Sequence, residues 1–242
     1  MMTGAPEQTG QRSGLFYRIL AGLVSLLVLV ALVLTSVRLL LTPSYVNFEY
    51  RTPNFPTDPF GFSRADRLYW SQVALDYLLN QAGISFLADL RFADGSAVYN
   101  ERELGHMVDV KIVVKGALLV WYASLLALLL LGLWAWRGGW WPTFRQALSR
   151  GGWLTVIFVG VIIPIVLVGF GVFFVAFHEV FFDPGTWVFR YSDTLIRLFP
   201  ERFWRDAFLA IAALSLAGGL AVALGLRRKA SPLESNRDSS DR

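Results

Sequence analysis

Apolar and charged positions divide the chain into four long runs with almost no charge, separated by polar segments. The first, Ile19 to Val37, is bracketed by Arg18 and Arg38, and the second, Ile112 to Trp136, carries only Lys115. The third, Trp153 to Phe177, and the fourth, Ala207 to Leu226, carry no charge. Each approaches or exceeds the roughly 20 residues that a helix needs to cross about 30 Å of hydrocarbon. Backbone polar groups cannot stay unpaired in lipid, so the runs predict helices. The predicted fold class is all-α: a polytopic membrane protein with four transmembrane helices and an extracytoplasmic loop subdomain. The segments are a cytoplasmic N-terminal tail (1–14), the first span (15–41), a long extracytoplasmic loop (42–111) and the second span (112–136). A cytoplasmic loop (137–152), the third span (153–182), an extracytoplasmic interfacial loop (183–206), the fourth span (207–226) and a cytoplasmic tail (227–242) complete the chain. The first run exceeds the usual apolar core of a cleaved signal and no small-x-small site follows it, so it reads as a retained anchor.

Between the spans, the pattern gives local signals. Pro43, Pro53, Pro56 and Pro59 open the long loop and predict extended chain and turns. Ser63 followed by Asp66 resembles a helix start, predicting a helix to about Gln81. Leu68, Gln72, Leu75 and Leu79 would share one side of it, and Trp70, Ala74 and Tyr77 another, which suits a helix lying on the bilayer or against the spans. Asp94 to Ser96 reads as a turn, and Asn100 with Glu103 as an N-terminal capping pair ahead of the second span. Gly160, Pro164, Gly169 and Gly171 in the third span predict a kink and close packing against neighbouring helices. Asp183 to Thr186 is a turn, followed by aromatics and arginines suited to the headgroup layer. The residues before Gly14 read as a flexible end, and those after Lys229 as a polar, disordered tail.

Charge sets the orientation. Arg137, Arg145 and Arg150 occupy the short loop with no acid beside them; Arg227, Arg228 and Lys229 follow the last span; Arg12 and Arg18 precede the first. Residues 42–111 hold nine acids and six bases. Both termini are therefore expected in the cytoplasm and the long loop outside. The chain is 55% hydrophobic and 17% charged, which excludes an ordinary soluble domain. An isoelectric point near 9.6 could suggest nucleic acid, but the bases are spread over both faces and form no continuous patch. With no cysteine, thiolate chemistry and cysteine metal sites are excluded.

The candidate chemistry lies in the only two histidines, His106 and His178. Counting spans places both on one face of the membrane, and histidine is the side chain suited to moving protons near neutral pH. Glu103, His106 and Asp109 follow at i, i+3 and i+6, so the two acids lie about 60° to either side of the ring. Flanking carboxylates can orient an imidazole and select its tautomer. The plainer alternative is two solvated interfacial histidines, and spacing alone leaves both open. His106 and His178 with Glu103, Asp109 or Glu179 could hold a metal, but HEVFF is not H-E-x-x-H, and no metal or cofactor is assigned. There is no G-x-S-x-G elbow, and the spans carry too few ionisable groups for a transporter. Arg190, Arg197, Arg202 and Arg205 either meet lipid phosphates or pair with Asp193, Glu201 and Asp206.

The segments NERELGHMVDVK and FHEVFFDPGTWVFRYSDTLIRLFPERFW resemble the signature segments of a bacterial integral-membrane family that includes the lipoprotein intramolecular transacylase. The resemblance implies a four-helix membrane acyltransferase with its active site at the outer leaflet. Such a protein moves an acyl chain from the diacylglyceryl group of a lipoprotein cysteine to the amine of that cysteine. It implies His106 and His178 as the catalytic residues, with a lipid-modified protein N-terminus or a phospholipid as partner. Glu103, Asp109 and Asp193 are supporting candidates. Arg102, Arg190, Arg197 or a backbone amide near Gly185 are candidates for oxyanion or headgroup contacts. The alternatives are a non-enzymatic accessory protein of the same family and a metal-binding membrane protein.

Overall fold

The computed structural model describes residues 7–226, with side chains from Gly14 onward. The N-terminal residues before Glu7 and the basic tail after Leu226 lie outside the described residues. Four long helices dominate: α1 (Glu7–Leu40), α5 (Glu101–Arg137), α6 (Trp141–Phe181) and α8 (Glu201–Gly225). Four short ones lie between them: α2 (Pro43–Glu49), α3 (Arg64–Leu79), α4 (Ser85–Ala88) and α7 (Thr194–Leu198). Among the described residues there is no strand, only an isolated bridge between Arg91 and Ala97 across the Asp94–Ser96 turn.

The four long helices are each long and apolar enough to cross a membrane. Their outward positions, such as Leu119, Leu126, Leu129 and Val168, are bare hydrocarbon. So large an apolar surface is stable only against lipid. The helices outrun the uncharged runs. At 1.5 Å per residue the 37-residue α5 is about 55 Å long, so part of it projects from the hydrocarbon core. Helix α6 begins at Trp141, within the basic loop, because Pro142 falls in its first turn, where the missing N–H costs nothing. Helix α1 likewise starts at Glu7, within the segment expected to be a flexible end.

Inside the bundle, α6 packs against α8 and α1, and less extensively against α5. The close approach comes from glycines, but not those singled out by the third apolar run. Nothing lies within 4 Å of where a Cβ would sit at Gly160, Gly169 or Gly171. At Gly151 a Cβ would fall 2.6 Å from the Val28 side chain, and at Gly152 2.6 Å from both the Gly219 carbonyl oxygen and the Ala223 nitrogen. Missing side chains at these two positions let α6 settle against α1 and α8. Ser25 Oγ donates to the Ala147 carbonyl at 2.9 Å and Ser149 Oγ to the Ala223 carbonyl at 2.8 Å, across the same seams. The non-helical residue within α6 is Gly169 (φ −137°, ψ 47°), five residues beyond Pro164.

At one end of the bundle, α2, α3, α4 and α7 form a layer over the first turns of α5. Its core joins Ala74, Tyr77, Leu87, Val98, Tyr99, Met107 and Leu195. The proline-rich start of the loop is partly helical: Pro43 opens α2 with Thr42 as N-cap, because proline is preorganised for a first helical turn. The Ser63 capping box is present at the start of α3. Charged side chains staple the layer down. Arg197 pairs with Asp58 at 2.9 Å and lies 3.4 Å over the Phe62 ring. Burial pushes the Asp58 carboxyl up, but the bonds from Arg197 and the Phe62 N–H prevail and hold it below the usual range. Lys111 Nζ donates to Asn80 Oδ1 at 3.0 Å and to the Ala82 carbonyl at 2.7 Å, tying the end of α3 to α5.

Candidate active site

Local sequence fixes the start of α5 and with it His106. Asn100 Oδ1 accepts from the Glu103 N–H at 3.1 Å, and Glu103 Oε2 accepts from the Asn100 N–H at 2.9 Å. This reciprocal cap places His106 in the second turn, 8% exposed. The other Glu103 oxygen accepts from the Leu195 N–H at 2.7 Å, so this 1%-exposed carboxylate also holds the first turn of α7.

His178 comes from the last turn of α6, beyond the Gly169 break, and is 9% exposed. Its Nδ1 lies 2.7 Å from the Phe174 carbonyl oxygen one turn back. A carbonyl only accepts, so Nδ1 carries the proton and Nε2 keeps its lone pair. The bond fixes the ring without the aid of a carboxylate.

The two imidazoles, 72 residues apart in sequence, face each other with centroids 6.1 Å apart and planes 22° apart. Phe182 touches both, at 4.8 Å from His106 and 5.5 Å from His178. Phe189 lies 5.3 Å from His106, Trp187 4.8 Å from His178 and Phe174 4.0 Å from His178. The pair is thus enclosed by an aromatic box. Two buried nitrogens in it have no hydrogen-bond partner: His106 Nδ1 and Trp187 Nε1.

Among the described residues, neither imidazole is hydrogen-bonded to a carboxylate. Glu103 is engaged by backbone N–H groups, and Asp109 makes no hydrogen bond to either ring. Asp193 Oδ2 accepts from the Arg190 N–H at 2.8 Å, bracing the loop before α7. Arg102 donates to the Val188 carbonyl at 3.0 Å. Arg102, Arg190 and Asp193 line a polar cavity of about 550 Å³ with Asn100 and Glu101, outward of His106 along α5. Arg197 is committed to Asp58. Arg202 and Arg205 both pair with Asp206 at 3.2 Å, and Arg202 also reaches the Asn54 and Pro53 carbonyls. Glu179 is exposed, and no group of three or more metal-ligating side chains forms among the described residues.

The aromatic box is the part that sequence reasoning missed. Phe182, Trp187 and Phe189 sit in a stretch whose aromatics suit the headgroup layer equally well. The available signal was the spacing of Phe174, His178 and Phe182, four residues apart, which lines up the first two on one face of α6 and the third just past its end.

Near the junction of α2 and α8 lies a second polar cluster. Burial pushes the Glu49 carboxyl up, and the charge and hydrogen bond of Asp206 add to this, to about 7. Arg202 and Arg205 pull it partway back.

Comparison with known proteins places these features. The family model described as lipoprotein intramolecular transacylase Lit matches residues 22–204. A protein of Aquifex aeolicus described as uncharacterized is 30% identical over 194 residues, 77% of this chain and 83% of its own length. The in meso structure of the lipoprotein intramolecular transacylase Lit from Bacillus cereus has a similar fold, with a TM-score of 0.61 at 21% identity over 86% of this chain and 93% of that one. A histidine-to-alanine variant of that protein gives a TM-score of 0.66 at 21% identity over 91% and 96%.

Proposed function

Because this chain belongs to the lipoprotein intramolecular transacylase family, we propose that it moves one acyl chain within a lipoprotein. The chain would pass from the diacylglyceryl group of the N-terminal cysteine to the amine of that cysteine. His106 and His178 form the acid/base pair. The observation that carries this reading is their convergence at 6.1 Å in an aromatic box, one ring with its tautomer set by a backbone carbonyl.

The chemistry follows from what these groups can do. An α-amine has a pKa of about 8, so at neutral pH it must shed a proton before attacking an ester. An imidazole takes that proton as the amine nitrogen bonds to the acyl carbon. The C–O bond to the glyceryl oxygen then breaks, and the departing alkoxide takes a proton from the histidine pair. Amine and ester belong to one molecule, so the enzyme need only hold them in reach, and no acyl-enzyme is required. This agrees with a chain that has no cysteine.

Mass spectrometry of a diacylated reporter lipoprotein from cells expressing the wild type, His106→Ala or His178→Ala tests the reading. The expected result is an acyl group on the amine with the wild type alone. An unchanged product from the double variant at normal protein levels would point instead to an accessory role.

The charge asymmetry supports placing the histidine pair on the extracytoplasmic face of a bacterial plasma membrane. With no native cysteine, a single Ser96→Cys can be labelled by an impermeant maleimide on intact cells. Labelling of Gln146→Cys instead of Ser96→Cys would reverse the orientation.

A further inference from the structure

The reaction needs a donor for the negative charge that gathers on the acyl oxygen when the amine adds. Preorganised N–H groups commonly supply the largest electrostatic contribution to such steps. The buried polar groups around the histidines are nearly all engaged. His178 Nδ1 is bound to the Phe174 carbonyl, and both Glu103 oxygens accept backbone N–H groups. Among the described residues of the aromatic box, the exceptions are His106 Nδ1 and Trp187 Nε1.

Trp187 stands out for three reasons. Its indole N–H can only donate, so no choice of tautomer relieves it. Buried N–H groups without an acceptor are rare in folded proteins and call for an explanation. Its ring also lies 4.8 Å from His178, tilted by 38°, so it belongs to the same enclosure as the reacting groups. The backbone leading to it is well defined. Gly185 holds φ +85°, a conformation that other side chains rarely adopt, and Thr186 closes the turn with N–H and hydroxyl bonds to the Asp183 carbonyl at 3.2 and 2.9 Å. The DPGTW segment thus delivers an indole to the imidazole on a fixed support.

We propose that Trp187 is a catalytic residue whose indole N–H donates to the acyl carbonyl oxygen and stabilises it as an oxyanion. This rests on the transfer reaction proposed above. The amine nitrogen bonds to the acyl carbon and the carbonyl π pair moves to oxygen. Trp187 holds that oxygen until the pair returns and the C–O bond to glycerol breaks. The amine proton passes through the histidines to the glyceryl oxygen, and Trp187 gains and loses nothing.

The test is steady-state kinetics of purified full-length protein on a synthetic diacylated lipopeptide. Trp187→Phe keeps an aromatic ring against His178 and removes only the donor and some volume. It is expected to lower kcat by about 10²–10³-fold, the usual effect of losing an oxyanion donor, with KM and thermal midpoint near wild type. Trp187→His, which restores a ring N–H, is expected to recover part of that loss. An active wild type with kcat of Trp187→Phe within a few-fold would overturn the inference and leave the transacylase reading standing. So would equal losses in both variants with a matching fall in thermal midpoint, which would mark a packing role. A wild type that leaves the lipopeptide unchanged removes the transfer reading and this inference with it.

Discussion

Replacement of Glu103 separates two roles for a carboxylate one turn from His106, a histidine of the proposed acid/base pair. One role orients the imidazole; the other holds the scaffold. Geometry favours the scaffold, because Glu103 accepts from the Asn100 N–H and the Leu195 N–H, 2.9 and 2.7 Å away, and from no imidazole nitrogen. Glu103→Ala loses its half of the capping box, about 0.5–2 kcal/mol. It also leaves the buried Leu195 N–H without its acceptor, about 1–3 kcal/mol. The sum is about 1.5–5 kcal/mol, and Glu103→Gln, which keeps one acceptor oxygen, is expected to lose about half. For a chain of this size that corresponds to a fall on the order of 10 °C for the alanine variant. Intrinsic tryptophan fluorescence on heating in detergent reads the midpoint. Hydrogen exchange reads the cause, as faster exchange confined to Thr194–Leu198 and the start of α5. Loss of activity in Glu103→Gln with an unchanged midpoint and unchanged exchange would refute the argument and return Glu103 to the catalytic apparatus.

Two further outcomes follow from packing and charge. Glu49 titrates near 7 in the folded protein against an ordinary 4.5, so between these values the folded state holds more protons than the unfolded one. Its contribution is therefore fully present below about pH 4.5 and is lost as pH rises through 7; the thermal midpoint should fall across pH 5–8, and Glu49→Gln should flatten that slope, whereas a slope unchanged by the substitution would assign it to other groups. Gly152→Ala would drive a methyl group to 2.6 Å from the α8 backbone and should cost about 1–3 kcal/mol, while Gly160→Ala, with nothing within 4 Å, should be neutral; equal midpoints for the two would show that α6 and α8 can move apart freely.

The parts of the fold that were legible in the sequence are those governed by short range. Uncharged runs marked four helices because lipid forbids charge along their length. Ser63 with Asp66, and Asn100 with Glu103, were readable because a capping box closes within one turn. What was not legible depends on partners far along the chain. The second use of Glu103, on Leu195, spans 92 residues and leaves no trace in local spacing. Gly151 and Gly152 look no different from Gly160 or Gly171 until the faces of α1 and α8 are known. Pro43 was misleading because proline both ends helices and begins them, and only the Thr42 cap decides which. At the site, the histidines could be placed on one membrane face from span counting. That they face each other rests on the packing of two helices whose histidines are 72 residues apart, which local spacing does not carry.

In the proposed reaction, the aromatic box bears on chemical fidelity. An ester beside a general base has two possible acceptors, the tethered amine and water, and hydrolysis would irreversibly remove one acyl chain from the lipid anchor. Phe182, Phe189 and Phe174 turn hydrocarbon faces to the imidazoles, and these offer a water molecule little to hold it where a base could activate it. The amine, delivered by the substrate itself, needs no such holding. In the proposed reaction, the partition between moving the acyl chain and losing it is set by these rings, which take no part in proton transfer.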